Sequence, residues 1–423
     1  MSEQANNNLQ NNSQNGYYFG SSYDQNPQPI NSINNNNSTN DQQINNSNNS
    51  NGNNPPSVKG SNNSNISNQS YQQKEFKFEN YPKKQSRTGL VNLGDTSYLN
   101  AVLQLLGQIP EFVEFYINKK NEFYLNEDKK INDSIKNKPF SFVTYRLFLH
   151  LYTENLNDVE IYKPDSYLRI LSHFNPIYSS NKRKNPNDLL IFILNKLDDE
   201  VKYKNTIVSN NDHYGNTYSN EEQTIISKVL RWEKITKQKC TQCNKPQNNK
   251  LSFFNTFDLD ISNTWKNNTG KKNEISINDC LDTYMTEKET TFYCQNCQYY
   301  QKMLVQSKIS SINKNIIFLL DRGDSINNEL LNIKFKIEEK IDLSKYINDE
   351  KSPKKFELAG IISIVLDNNN KFVCDCKSPI DNKWYKFDDE KVEFSFEDTE
   401  EVIEENNGKK LIPYILYYKS VNV

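Results

Sequence analysis

Two cysteine pairs constrain this chain more than any other feature. Cys240-Thr-Gln-Cys243 and Cys294-Gln-Asn-Cys297 each hold two thiols three residues apart. Thiolates at that spacing can take adjacent corners of a tetrahedron around Zn²⁺, and two pairs complete it. The competing reading is four unrelated buried thiols. If the pairs meet, the 50 residues between them must leave and return through regular structure. The alternating run 251–259 is predicted as a strand that serves this purpose. A four-cysteine site leaves no open position, so its metal would be structural. Cys280 reads as a small buried apolar residue, and Cys374 and Cys376 are left over.

Metal-bound or free thiols imply a reducing compartment. The start Met1-Ser-Glu-Gln-Ala-Asn6 lacks a basic region followed by an apolar run, so no secretory signal is expected. No stretch approaches the ~18 apolar residues of a membrane span. The expectation is a soluble, intracellular protein, cytoplasmic or nuclear. A net charge of -2 over 423 residues gives no general attraction for nucleic acid or anionic membrane, and no basic patch is interleaved with aromatics.

Apolar residues make up 35% of the chain, and the deficit is concentrated at one end. Residues 1–78 are dominated by Asn, Ser and Gln. Such a segment cannot bury enough apolar surface to offset its chain entropy and is expected to be a disordered tail. Residues 79–423 form one large domain, long enough that sub-lobes are expected.

Within it, Leu99, Val102, Leu103 and Leu106 recur at helical spacing, with Asp95 or Thr96 placed to cap the helix. Residues 141–152 and 186–200 read as further helices. The second buries Leu189, Leu190, Ile193, Leu194 and Leu197, and the charged stretch 119–137, ahead of both, reads as loop or solvated helix. The second half is predicted β-rich: 302–310, 315–320, 356–366, 372–376, 383–387 and 411–418, joined by Asn- and Asp-rich turns. Helices first and strands after indicate an α+β fold.

Thr88-Gly-Leu-Val-Asn-Leu-Gly-Asp-Thr-Ser-Tyr-Leu-Asn-Ala-Val-Leu-Gln-Leu-Leu106 closely resembles the first signature of ubiquitin-specific proteases, GLxNLGNTCYMNSxLQxL. Asn187-Asp-Leu-Leu-Ile-Phe-Ile-Leu-Asn-Lys-Leu197 is similar to the family's DAxEFLxxLLDxL helix. The stretch around Cys280, followed by Tyr293-Cys-Gln-Asn-Cys297, resembles the segment that brings in the second zinc pair. Lys383-Trp-Tyr-Lys-Phe-Asp-Asp-Glu-Lys-Val392 and Pro413-Tyr-Ile-Leu-Tyr-Tyr-Lys419 resemble WYxFDDxxV and AYxLFYxR. The resemblance spans about 88–419. It implies a papain-like thumb, palm and fingers, with zinc in fingers at about 230–310 and ubiquitin as the partner.

Family members cut the isopeptide bond after ubiquitin's last glycine. That acyl transfer needs a nucleophile, an activating base, a group to orient the base and oxyanion donors. On this chain the nucleophile position is Ser97, not cysteine. The base position is Lys371, not histidine, and no histidine follows His213, so no small shift in alignment restores one. Asp388 stands at the orienting position and Asn92 at the oxyanion-donor position. Asp95 replaces the asparagine of the family's GNT, and a carboxylate there opposes a thiolate.

Losing nucleophile and base together costs about 10⁶ in rate in a dismantled hydrolase triad. The resemblance and the losses together imply an inactive pseudo-deubiquitinase that binds ubiquitin or scaffolds a complex. The alternative is an active isopeptidase using a Ser97–Lys371 dyad. It requires a deprotonated lysine, and an Asp388–Lys371 ion pair would oppose that. Cys374 as a displaced nucleophile would face away from Lys371 on an alternating strand. A third reading is an interaction protein that has lost ubiquitin binding as well.

Overall fold

Prolines open three of the first helices, because proline's fixed φ and missing N–H suit the first helical position. A computed structural model of the chain describes residues 87–118, 138–152, 161–179, 182–201, 224–247, 249–322, 332–366, 370–406 and 411–421. The expectations for the tail 1–78 and the stretch 119–137 fall outside the described residues. The helical half runs β1 (Gly89–Leu90), α1 (Ser97–Gly107), α2 (Pro110–Asn118), α3 (Pro139–Tyr152), β2 (Ile161–Tyr162), α4 (Asp165–Phe174), α5 (Pro186–Val201) and α6 (Ile225–Leu230). The five predicted apolar residues of α5 are all buried.

Helix α1 departs from the amphipathic expectation: every one of its residues is buried. Its apolar side faces the sheet, and its polar side is covered by the segment around β1. Gln104 Nε2 donates to the Thr88 carbonyl at 2.8 Å, and Asn100 Nδ2 donates to the Leu90 carbonyl at 3.1 Å. The polar residues thus satisfy backbone carbonyls that packing takes from water.

The second half runs β3 (Trp232–Cys240), β4 (Lys250–Phe254), β5 (Phe257–Leu259), α7 (Ile261–Asn268), β6 (Ile275–Ser276), α8 (Ile277–Met285), β7 (Lys288–Cys294), β8 (Tyr299–Ile312) and β9 (Asn315–Leu320). It continues through β10 (Phe335–Lys336), β11 (Lys340–Asp342), β12 (Lys355–Val365), β13 (Phe372–Lys377), β14 (Trp384–Asp388), β15 (Lys391–Phe394), α9 (Thr399–Asn406) and β16 (Leu411–Ser420). One sheet has the order β4-β3-β8-β7. A larger, eight-stranded sheet runs β15-β14-β13-β12-β16-β9-β5, with β11 beside β12.

The expected single strand at 251–259 is two strands in two sheets. β4 pairs with β3, and after Asn255-Thr256 the chain turns so that β5 pairs in parallel with β9. The alternating pattern persists because each piece is half-buried in its own sheet, so periodicity alone could not show the break. β8 carries a bulge. Lys234 lies opposite Ile309 and Glu233 opposite Ser311, so Ser310 is the extra residue. The added residue puts Ile309 and Ile312, both buried, on the same face.

The long apolar run of β12 is explained by cover on both faces. Ile362 and Ile364 join the core formed with the helices, and Ile361 and Leu358 join a second core with α7 and α8. Gly360 lets α1 approach closely, since a Cβ there would lie 2.7 Å from Leu105 Cδ1 and 2.9 Å from Cys376 Sγ.

One buried carboxyl sits uneasily in this sheet. Asp375 on β13 is fully buried. Its Oδ2 accepts from Asn406 Nδ2 at 3.1 Å, and Lys386 Nζ stands 4.0 Å from Oδ1, which has no hydrogen-bond donor. Burial pushes its pKa up to about 6. The fold therefore holds a proton that the unfolded chain releases near pH 4, so this group's stability is present below pH 4 and lost as pH rises to about 6. Asp375→Asn should stabilise the protein at pH 7 by up to about 3 kcal/mol, read as a higher melting temperature. The gap should close as pH falls towards 4 in calorimetric scans; a gap independent of pH would show that Asp375 is not the titrating group.

Candidate functional site

Ser97 is the first residue of α1, where backbone N–H groups lack helical partners. Thr96 occupies the N-cap but, contrary to expectation, its hydroxyl does not cap the helix. It accepts instead from Leu93 N–H at 2.8 Å and lies 3.3 Å from Asn92 Oδ1, closing the loop before the helix. That loop contains Gly94 at φ 101° and Asp95 at φ 54°, both left-handed. Asparagine and aspartate tolerate this region better than other non-glycine residues.

The fold brings the predicted residues together across nearly 300 positions of sequence. Ser97 Oγ is buried and accepts from the backbone N–H of Phe372 at 3.0 Å. Lys371, immediately before β13, reaches Asp388 at the end of β14, with Nζ 2.7 Å from Oδ2. Asp388 Oδ1 is buried without a hydrogen-bond partner. Asn92 lies beneath the β14–β15 turn. Its Nδ2 donates to Asp389 Oδ2 at 2.8 Å, its N–H donates to Glu390 Oε1 at 2.9 Å, and its Oδ1 accepts from the N–H groups of Gly94 and Thr96. One of the two Asn92 amide hydrogens is therefore held by Asp389.

Asp389, Glu390 and Arg183 escaped the sequence reading as participants in the site. Asp389 bridges Asn92 and, through its other oxygen, Asn100 Nδ2 at 2.8 Å. Burial raises its pKa, with Asp388 and Glu390 adding to the rise and the two amide donors opposing it. Arg183 donates from Nη1 to the Asn370 carbonyl. Burial lowers its pKa, while Asp95 acts in the opposite direction. The one available signal was Asn100, a polar residue set inside an apolar helical run. Gly89 is required for the arrangement: a Cβ there would lie 2.1 Å from the Glu390 carbonyl oxygen.

The remaining titratable groups are placed elsewhere. Cys374 is buried on β13, its Sγ 3.2 Å from that of Cys376, and burial raises its pKa far above the usual thiol value. It lacks the thiolate character a nucleophile needs. Cys280 is likewise buried, pushed up to about 12. His150 stacks on Tyr162 with ring centres 4.4 Å apart, and His173 meets Phe174 edge-on. His213 lies outside the described residues.

The four remaining cysteines cluster at the far end of the smaller sheet. Cys240 ends β3 and Cys294 ends β7, so each CxxC forms the turn beyond its strand. The four Sγ atoms lie within 4.8 Å of one another, with Cys240–Cys297 at 3.9 Å and Cys243–Cys294 at 3.8 Å. A tetrahedron with Zn–S bonds of about 2.3 Å has S···S edges of about 3.8 Å, so the donor set and its size fit a four-coordinate metal. Asn244 and Gln298, each the residue after the second cysteine of its pair, adopt φ of 55° and 60°. Gln247 braces the cluster, its Nε2 3.7 Å from Cys294 Sγ and its Oε1 accepting from Gln295 N–H.

Comparison with known proteins agrees with this arrangement. The ubiquitin carboxyl-terminal hydrolase family model matches residues 88–418. Ubiquitin carboxyl-terminal hydrolase Usp2 of Drosophila melanogaster is 21% identical over 80% of this chain and 35% of its own length. Ubiquitin carboxyl-terminal hydrolase 12 of Saccharomyces cerevisiae is 24% identical over 32% of this chain and 11% of its own. The chain thus spans about a third or less of these relatives. Among solved structures, the SAGA DUB module of Ubp8, Sgf11, Sus1 and Sgf73 bound to monoubiquitin matches with a TM-score of 0.59 and 20% identity. That match covers 81% of this chain and 71% of the other. The same module bound to ubiquitin aldehyde gives 0.58. By its motifs, its fold and a family match across most of its length, the chain belongs to the ubiquitin carboxyl-terminal hydrolase family.

Proposed function

We propose that this chain is a catalytically silent member of its family, a receptor that binds ubiquitin or scaffolds a complex around it. The observation that carries the reading is the Lys371–Asp388 ion pair of 2.7 Å beside Ser97. The base position holds a lysine whose Nζ is engaged by the neighbouring carboxylate, where the family's chemistry calls for an imidazole. The hydroxyl at the nucleophile position is a hydrogen-bond acceptor from Phe372 N–H, and among the described residues no hydrogen bond joins it to a side chain that could take its proton. The family's overall shape and the anchoring of Asn92 are kept, which suits a surface selected for binding.

The partner in this reading is ubiquitin or a related modifier. The solved neighbours are described with ubiquitin and with Sgf11, Sus1 and Sgf73, and by analogy this chain would sit in a multiprotein assembly. Among the described residues no helix is long and apolar enough to cross a membrane, and we place the protein in the cytoplasm or nucleus. Zn²⁺ at Cys240, Cys243, Cys294 and Cys297 would be structural, fixing the ends of β3, β7 and β8 with no position open for chemistry.

Two measurements test this. Ubiquitin should be retained by the immobilised protein, while a fluorogenic ubiquitin substrate is turned over at least about 10⁶-fold more slowly than by a family member with an intact triad. Turnover that Ser97→Ala or Lys371→Met abolishes would establish the Ser–Lys dyad and end this reading. The purified protein should also carry one equivalent of zinc. Chelation or Cys294→Ser should remove it and raise hydrogen exchange around residues 238–247 and 290–303, leaving α1 protected. A protein without zinc and with a protected tip would exclude the metal.

A further inference from the structure

The charged groups around Ser97 do not cancel, and their imbalance bears on which form of a ubiquitin tail the site accepts. Among the described residues, Lys371 and Arg183 supply two cationic groups. Asp95, Asp388, Asp389 and Glu390 supply four carboxyls. Lys371 engages Asp388 through one oxygen only, and the other oxygen has no partner. Asp389 accepts from the neutral amides of Asn92 and Asn100, which stabilise its charge without cancelling it. Glu390 is exposed and accepts from a neutral backbone N–H.

A free ubiquitin tail ends in a carboxylate, whereas a conjugated tail ends in a neutral amide. Resting on the reading of this site as a ubiquitin receptor, we infer that the degenerate centre discriminates against free ubiquitin and favours ubiquitin whose C-terminus is amide-linked. The two excess negative charges repel a terminal carboxylate placed at Ser97 and leave an amide unaffected. The amide also brings an N–H donor to a carboxylate-rich surface, which a carboxylate cannot do. Lys371, the obvious receptor for a carboxylate, is already engaged by Asp388 at 2.7 Å. The group replacing the catalytic base therefore serves to keep the centre from capturing the product of the family's reaction.

The test compares four probes on the full chain by calorimetry or interferometry: free ubiquitin, C-terminally amidated ubiquitin, ubiquitin joined through its C-terminus to the ε-amine of a lysine peptide, and ubiquitin lacking its last two glycines. The amidated and peptide-linked forms should bind roughly threefold to tenfold tighter than free ubiquitin, because the like-charge repulsion acts across a wet, high-dielectric surface. The ratio should widen at low salt. Asp95→Asn, which removes one charge at an exposed left-handed position that asparagine tolerates, should narrow it.

Equal or tighter binding of free ubiquitin would overturn the inference, with Lys371 then acting as a carboxylate receptor. Equal binding of the truncated form would also overturn it, because the tail would not reach the centre, while the receptor reading would stand. Binding of none of the four would overturn both.

Discussion

A helix buried on all sides is costly unless the donors it carries find partners inside the protein. That condition governs the whole N-terminal half of the site. Gly360 allows α1 to settle against the sheet, and Gly89 allows β1 to pass under the Glu390 carbonyl. Asn100 and Gln104 then meet the carbonyls of Leu90 and Thr88. Asp389 ties the helix and the loop before it to the β14–β15 turn. Position 97 is held in place by these contacts, to which the serine adds the hydrogen bond its Oγ accepts from Phe372 N–H. The residues that set the geometry of the centre are thus distinct from those at the nucleophile and base positions.

The electrostatics of the centre follow the same separation. An imidazole between a nucleophile and a carboxylate works by changing its charge during turnover. A lysine in that position is paired with Asp388 at 2.7 Å and has no ring with two nitrogens through which to pass a proton on. The exchange keeps a cation next to a carboxylate, so the anion at the end of β14 is still compensated and the strand pairing needs no repair. Asp95, in a loop where an asparagine would suit the backbone equally well, adds a carboxylate beside the nucleophile position, where it would oppose a thiolate.

Much of this could be read from the residues. The helix carrying Leu99 to Leu106, the strands expected at 315–320, 356–366 and 411–418, the meeting of the two cysteine pairs and the Lys371–Asp388 contact follow from periodicity, spacing and resemblance, because each is a local pattern or a match to a known motif. The split of 251–259 could not be read, since two half-buried strands in different sheets alternate just as one strand does. Asp389, Arg183 and Glu390 also stayed hidden. Asp389 and Glu390 act from a turn nearly 300 residues away from the loop it contacts, and Arg183 reaches the Asn370 carbonyl from 187 residues away; neither charge nor spacing marks such pairings. Burial of the polar side of α1 was invisible for the same reason, because the segment that covers it lies outside the helix.

The bulge at Ser310 has a consequence for how this protein can change length. β8 connects two environments: Met303 packs among the four clustered cysteines at one end, and Ile309 and Ile312 enter the second core at the other. Met303 and Ile309 lie in one unbroken register with β3, and the extra residue re-phases the strand between Ile309 and Ile312. Deleting one residue between Met303 and Ile309 would turn one of the two out of its core, because the side-chain alternation runs uninterrupted between them. Natural insertions and deletions in this strand should therefore occur in pairs of residues, or together with loss of the bulge. A family tree of such sequences would show length changing in steps of two along the projecting sheet and freely in its turns.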